Sequence, residues 1–249
     1  MPKESYSWRD VKNSYAAANK ATNDLIAHSW FYLLRPISFR ISAVFATLGV
    51  SPVIITMLGM LCVFVGVIMI GCSGNRFPLF VSGCVVLIVS NILDCVDGDV
   101  ARVTNKESKI GEYLDFLSGL IFHTLVPVAA AVSIYTSCNQ SHLYFSNYIS
   151  NSYILLVAMV EVYATFMRVL LSLRGQVLLN YNSGAKFASG VKLTFWKIAP
   201  RLLANARAPL LLVALFLNLV ELYLLIYMIY SILIMLATLI KCIKQAPVQ

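Results

Sequence analysis

The sequence predicts an all-α integral membrane protein, with six transmembrane helices preceded by an N-terminal amphipathic interfacial helix. Three observations carry that reading. Hydrophobic residues make up 59% of the 249 and charged residues 12%, and the mean hydropathy is +0.80, too apolar for a soluble globule. Apolar runs recur at about 20 residues, the length that a roughly 30 Å hydrocarbon core requires. Lys and Arg are distributed so that nearly all of them fall on one side of those runs. A spanning segment without an aqueous partner must satisfy its own backbone, and a helix does so by itself.

The elements follow in order. Residues 1–24 form a polar N-terminal segment with no apolar core after a basic start, so no cleavable signal is expected. In Leu25–Leu48 the run Trp30, Phe31, Tyr32, Leu33 and Leu34 meets Arg35, Pro36 and Arg40. Charge interrupts it too often for a span, and an aromatic amphipathic helix in the interface fits better. Arg35 and Arg40 are there either as plain anchors or as part of a phosphate-facing rim. The spans are Val53–Gly71, Phe77–Leu93, Tyr113–Tyr135, Tyr153–Leu171, Ala208–Val220 and Leu222–Leu239. Ala208–Val220 is short and pressed against the last span, as in a tight helical hairpin. Residues 49–240 thus make a six-span core and 241–249 a tail, and 1–249 reads as a single membrane domain. The 175–200 stretch, with Gly175, Ser183, Gly184, Ser189 and Gly190, reads as a mobile loop.

Of the 19 Lys and Arg residues, only Arg76 falls on the far side of this scheme. The positive-inside rule then places both termini and the loop after Asp94 in the cytoplasm. A net charge of +8 on such a surface suits lipid headgroups and phosphates, and no nucleic-acid partner is expected. The six cysteines (Cys62, Cys72, Cys84, Cys95, Cys138 and Cys242) lack C-x-x-C spacing and read as free thiols.

The chemistry is concentrated in Asp94-Cys95-Val96-Asp97-Gly98-Asp99-Val100-Ala101-Arg102, with Gly111 and Asp115 following. Ionisable groups at the edge of a span are costly and usually mark a site. Asp94 and Asp97 share a helical face about a turn apart. With Asp115 at the start of the next span they could converge on Mg²⁺ or Mn²⁺, hard cations that take oxygen ligands and phosphates. Gly98, Ala101 and Gly111 would let a phosphate or a flat ring approach the backbone, and Arg102 offers a planar fork for phosphate oxygens. Asp99 and Glu112 read as solvated loop charges. Glu161 and Arg168 are seven apart in the fourth span: Arg168 reads either as snorkelling to the interface or as holding an acceptor phosphate, Glu161 as an interhelical contact.

This pattern resembles the signature of the CDP-alcohol phosphotransferases, D-x-x-D-G-x-x-A-R followed by G-x-x-x-D-x-x-x-D. Asp94, Asp97, Gly98, Ala101, Arg102, Gly111 and Asp115 stand in register with it. Ser51-Pro52-Val53-Ile54-Ile55-Thr56 is similar to the family's S-P-N-x-x-T, with Val53 where Asn is usual. Leu34-Arg35-Pro36-Ile37-Ser38 is similar to its R-P-x-S element. The resemblance implies six spans, cytoplasmic termini, a homodimer, and displacement of CMP from a CDP-linked donor by an acceptor hydroxyl in phospholipid biosynthesis. It also implies Asp94, Asp97 and Asp115 as metal ligands, with Asp94, Gly98, Ala101, Arg102, Gly111 and Thr56 around the nucleotide. Arg35 and Arg168 are candidates for the acceptor phosphate.

Where the family has its fourth Asp, a metal ligand and candidate general base, this chain has Gly119. Three readings stay open: a nucleotide-binding protein without turnover, a base supplied from elsewhere, or a changed residue. Glu112, Asp115, Gly119 and His123 run down one helical stripe, so Glu112 and His123 are the substitute bases. His123 lies about 6 Å beyond Gly119 at a 1.5 Å rise. An intramembrane prenyltransferase would normally need a second Asp-rich motif, and a transporter an inverted repeat; the sequence offers neither.

Overall fold

The computed structural model describes residues 5–17, 29–137, 152–179 and 206–245. Among them it is all-helical: α1 (Trp8–Ala17), α2 (Ser29–Leu48), α3 (Pro52–Gly71), α4 (Phe77–Val103), α5 (Lys109–Thr136), α6 (Tyr153–Leu179), α7 (Arg207–Phe216) and α8 (Val220–Gln245). Five of these, α3, α4, α5, α6 and α8, are long and apolar enough to cross a membrane. Helix α7 overlaps the expected Ala208–Val220 span, but at ten residues it is only about 15 Å long. The chain divides into two compact units.

The first unit takes in residues 1–67, 82–122 and 193–210. Its first helix lies inside the stretch expected to be merely polar. Ser7 caps α1: the Asp10 N–H donates to Ser7 Oγ at 3.3 Å, and the Ser7 N–H donates back to Asp10 Oδ2 at 2.8 Å. That reciprocal pair satisfies two donors that a helix start would leave orphaned. Val11 and Tyr15, four apart, bury themselves against Phe39 and Ala43 of α2. Helix α2 closes on Gly49 at φ +74°. There the Val50 N–H reaches Phe45 O and the Gly49 N–H reaches Ala46 O, both at 3.0 Å, the paired bonds of a left-handed helix stop. Ser51 and Pro52 then start α3, with Pro at the first helical position, where its missing N–H costs nothing.

Ala46, Ile55, Val96 and Val100 form a buried core joining α2, α3 and α4. Gly66 lets α3 approach α4 closely, because a Cβ there would stand 2.9 Å from Leu87 and 3.0 Å from Gly83 O. Helix α4 does not end at Leu93, where its apolar run stops, but continues through the acidic motif to Val103. It stops on Asn105, at φ +53°, with the Lys106 N–H on Ala101 O at 2.8 Å. Ser108 caps α5 through the Gly111 N–H at 3.1 Å. The loop expected over 94–112 is therefore only Thr104–Ser108, since helix formation needs no apolar side chains once its backbone bonds are running.

The second unit takes in 68–81, 123–192 and 211–249. Ser73 and Ser133 hydroxyls meet at 2.7 Å, and Asn75 and Ser137 are hydrogen-bonded. Helices α6 and α8 pack together, with Tyr153 hydrogen-bonded to Glu221. Leu156, Met159, Tyr163, Phe166 and Leu170 recur at three- and four-residue steps along α6 and stay exposed, a stripe suited to lipid. Helix α6 runs to Leu179, past the expected end at Leu171 and into the expected 175–200 loop, again because apolarity and helicity end at different residues. The rest of that loop and Cys138 lie outside the described residues. Cys62, Cys72, Cys84, Cys95 and Cys242 are free thiols. Glu161 is fully buried.

Candidate functional site

The acidic motif opens into a cavity of about 660 Å³ in the first unit. Helix α4 contributes Asp94, Cys95, Asp97, Gly98, Ala101 and Arg102, α5 contributes Gly111, Glu112 and Asp115, α3 contributes Pro52 and Thr56, and α2 contributes Arg35. Lys106 to Lys109 complete the rim. The spacing explains the convergence. Asp94, Asp97 and Ala101 succeed one another at three- and four-residue steps, and the short turn at Asn105 returns the chain so that Asp115 faces them.

The carboxylates are held differently. Asp97 is buried and accepts from Thr56 Oγ1 at 2.6 Å. Asp94, Asp97 and Asp115 lie near enough to one another for their charges to interact. Like charges gathered so closely favour a cation between them. The all-oxygen donor set facing one cavity fits a hard divalent ion, although among the described residues no three side chains are already gathered around one point as ligands.

The positive groups are fixed from below. Asp99, 1% exposed, accepts from Arg35 Nη1 at 2.9 Å and from Arg102 Nη2 at 2.5 Å, both on Oδ1. Ser38 Oγ lies 3.2 Å from its Oδ2. Asp99 is thus no solvated loop charge: a carboxylate buried at that depth has to be paired. Arg35 also lies over the Tyr15 ring, 4.4 Å from the centroid, a cation–π arrangement. A Cβ at Gly98 would stand 3.1 Å from Arg102 Nη1, so glycine there leaves the guanidinium its place.

The cavity brings together Asp94, Asp97, Asp115, Thr56, Gly98, Ala101, Arg102, Gly111, Glu112 and Arg35. Gly119, His123 and Arg168 are not among its lining residues. Glu112, on the rim, is exposed but stands in the first turn of α5, not in a loop. Gly119 has no atom within 4 Å of where its Cβ would be. Sequence reasoning missed Asp99, Ser38 and Tyr15. The S-x-x-D cap at Ser7 and the Val11/Tyr15 pair were the available signals for α1. The family model for CDP-alcohol phosphatidyltransferase matches residues 49–243. No curated protein matches the chain.

Proposed function

Because this chain belongs to the CDP-alcohol phosphatidyltransferase family, we propose that its 660 Å³ cavity binds a CDP-linked donor and transfers the donor's phospho-alcohol group to an acceptor hydroxyl. The family supports membrane phospho-alcohol transfer in lipid synthesis. The observation that carries the assignment is the meeting of Asp94, Asp97 and Asp115 with Arg35 and Arg102 around one cavity, almost all of it inside the matched region.

In this reading the acceptor oxygen bonds to the β-phosphorus, the bond from that phosphorus to the CMP oxygen breaks, and the hydroxyl proton passes to a base. The family is generally divalent-metal dependent. Asp94, Asp97 and Asp115 are the residues to hold Mg²⁺ or Mn²⁺, which when bound neutralises pyrophosphate charge. Thr56 keeps the Asp97 carboxylate oriented. Gly98, Ala101 and Gly111 leave the backbone accessible to the ligand. Arg102 and Arg35 take phosphate oxygens with their planar forks. Such catalysis rests mainly on positioning and charge.

Gly119 and the open space beside it favour a second reading, a protein that binds the nucleotide and turns it over slowly or not at all. Of the substitute bases, Glu112 is at the cavity and His123 is not among its lining residues, so Glu112 is the better candidate. Calorimetric titration of CDP with and without Mg²⁺ or Mn²⁺ tests the shared part of both readings. Binding that depends on the cation, and that is lost in Asp94→Ala/Asp97→Ala, is expected; undiminished binding by the double variant would sink the assignment. Release of CMP from a CDP-alcohol across an acceptor panel separates transferase from binding protein.

A further inference from the structure

We propose that Asp99 is a positioning residue, which seats the guanidiniums of Arg35 and Arg102 side by side so that they grip the phosphates of one anionic ligand together. This rests on the nucleotide-binding reading of the cavity. Both bonds fall on the same oxygen, Oδ1, so one carboxylate oxygen fixes two forks that come from different helices. Ser38 Oγ lies 3.2 Å from the other oxygen and 3.1 Å from Arg35 O, so its one proton is shared between the carboxylate and the same turn of α2. Tyr15 covers Arg35 from α1. Arg35 and Arg102 line the cavity, whereas Asp99, Ser38 and Tyr15 do not. They form the support beneath the wall.

Charge arithmetic argues against simple neutralisation as Asp99's purpose. For attracting an anion, two arginines alone would do better than two arginines and a carboxylate. Burying that carboxylate also carries a desolvation cost. What the arrangement gains is orientation: each pairing engages one nitrogen of a rigid fork, so the direction of both guanidiniums is set before the ligand arrives. Preorganised charges lose little on binding. Arg35, Ser38 and Tyr15 precede residue 49, where the family match begins. The Asp99 bridge therefore recruits α1 and α2 into the site.

The test uses the full chain in detergent, titrated with CDP plus Mg²⁺ and, separately, with inorganic pyrophosphate as a nucleoside-free probe. Asp99→Asn makes the site more positive, so charge alone requires tighter binding. Positioning requires weaker binding, by about tenfold. In a double-mutant cycle, adding Arg35→Ala to Asp99→Asn is expected to cost clearly less than the two single losses combined. Equal or tighter binding by Asp99→Asn, or a lowered Tm with unchanged affinity, overturns the proposal. If Asp99→Asn does not fold, Ser38→Ala and Arg35→Lys carry the test: each is expected to weaken binding severalfold, and unchanged affinity in both overturns it. A parent protein that binds pyrophosphate but not CDP defeats the nucleotide reading while the Asp99 comparison still decides on pyrophosphate. Binding of neither defeats both.

Discussion

Gly119 is where one atom group decides the most. Its surroundings are open at the position a Cβ would take, so a side chain can start there without displacing a neighbour, and replacing a helix-interior glycine removes a propensity penalty of up to about 1 kcal/mol. Gly119→Asp is expected to raise CMP release on the order of 10²-fold, the lower range for a restored base, with little change in CDP affinity. Unchanged release with a broad acceptor panel, together with its loss in Glu112→Gln or His123→Ala of the parent, would show that the base has moved. The motif residues around the cavity were legible because their spacing is local: Asp94, Asp97, Ala101 and Arg102 lie on one helix. Asp99 was misjudged because its partners Arg35 and Ser38 are 64 and 61 positions away. No local pattern announces an ion pair across such a distance.

At the scale of an element, α1 shows how a short polar helix is kept. Ten residues are marginal alone; the Ser7–Asp10 box and the contact with α2 supply the rest. The Ser7 hydroxyl, and then the Ser7 N–H, hold the Asp10 carboxyl below its ordinary value. A depressed carboxylate pKa gives stability that is present above the unfolded value of about 3.9 and lost as pH falls through the folded one. Amide hydrogen exchange over residues 8–17, corrected for intrinsic rate, should therefore stay slow near neutral pH and quicken below about pH 4. In Ser7→Ala it should be fast throughout; if that variant exchanges as slowly as the parent, the cap is not what keeps α1. The apolar runs located the long helices well and their ends poorly. Helices α4 and α6 both outrun their hydrophobic stretches, since lipid solubility sets where a span ends and backbone hydrogen bonding sets where a helix ends.

For the whole molecule, membrane residence was legible from composition, and five long apolar helices agree with it. The short α7 leaves the sixth crossing as an expectation. Orientation is an expectation from the Lys/Arg bias, in which Arg76 alone falls on the far side. In a background with the native cysteines replaced, Asn105→Cys should react with an impermeant thiol reagent from the cytoplasmic face and Asn75→Cys from the opposite face. Both positions are exposed turn residues. Labelling of the two from the same face would overturn the orientation and the crossing of α4 between them.

The bridge from Arg35 to Asp99 also has a consequence in time. A ribosome making about 5–20 residues per second needs roughly 3–13 s to travel the 64 positions between the two. For that interval the arginine is in the nascent chain and its acidic counterpart has not yet been synthesised. During biogenesis α1 and α2 thus emerge early but cannot take their final seat until α4 has been made almost to its end. A chain arrested during insertion after α3 would carry the cation without the residue that aims it.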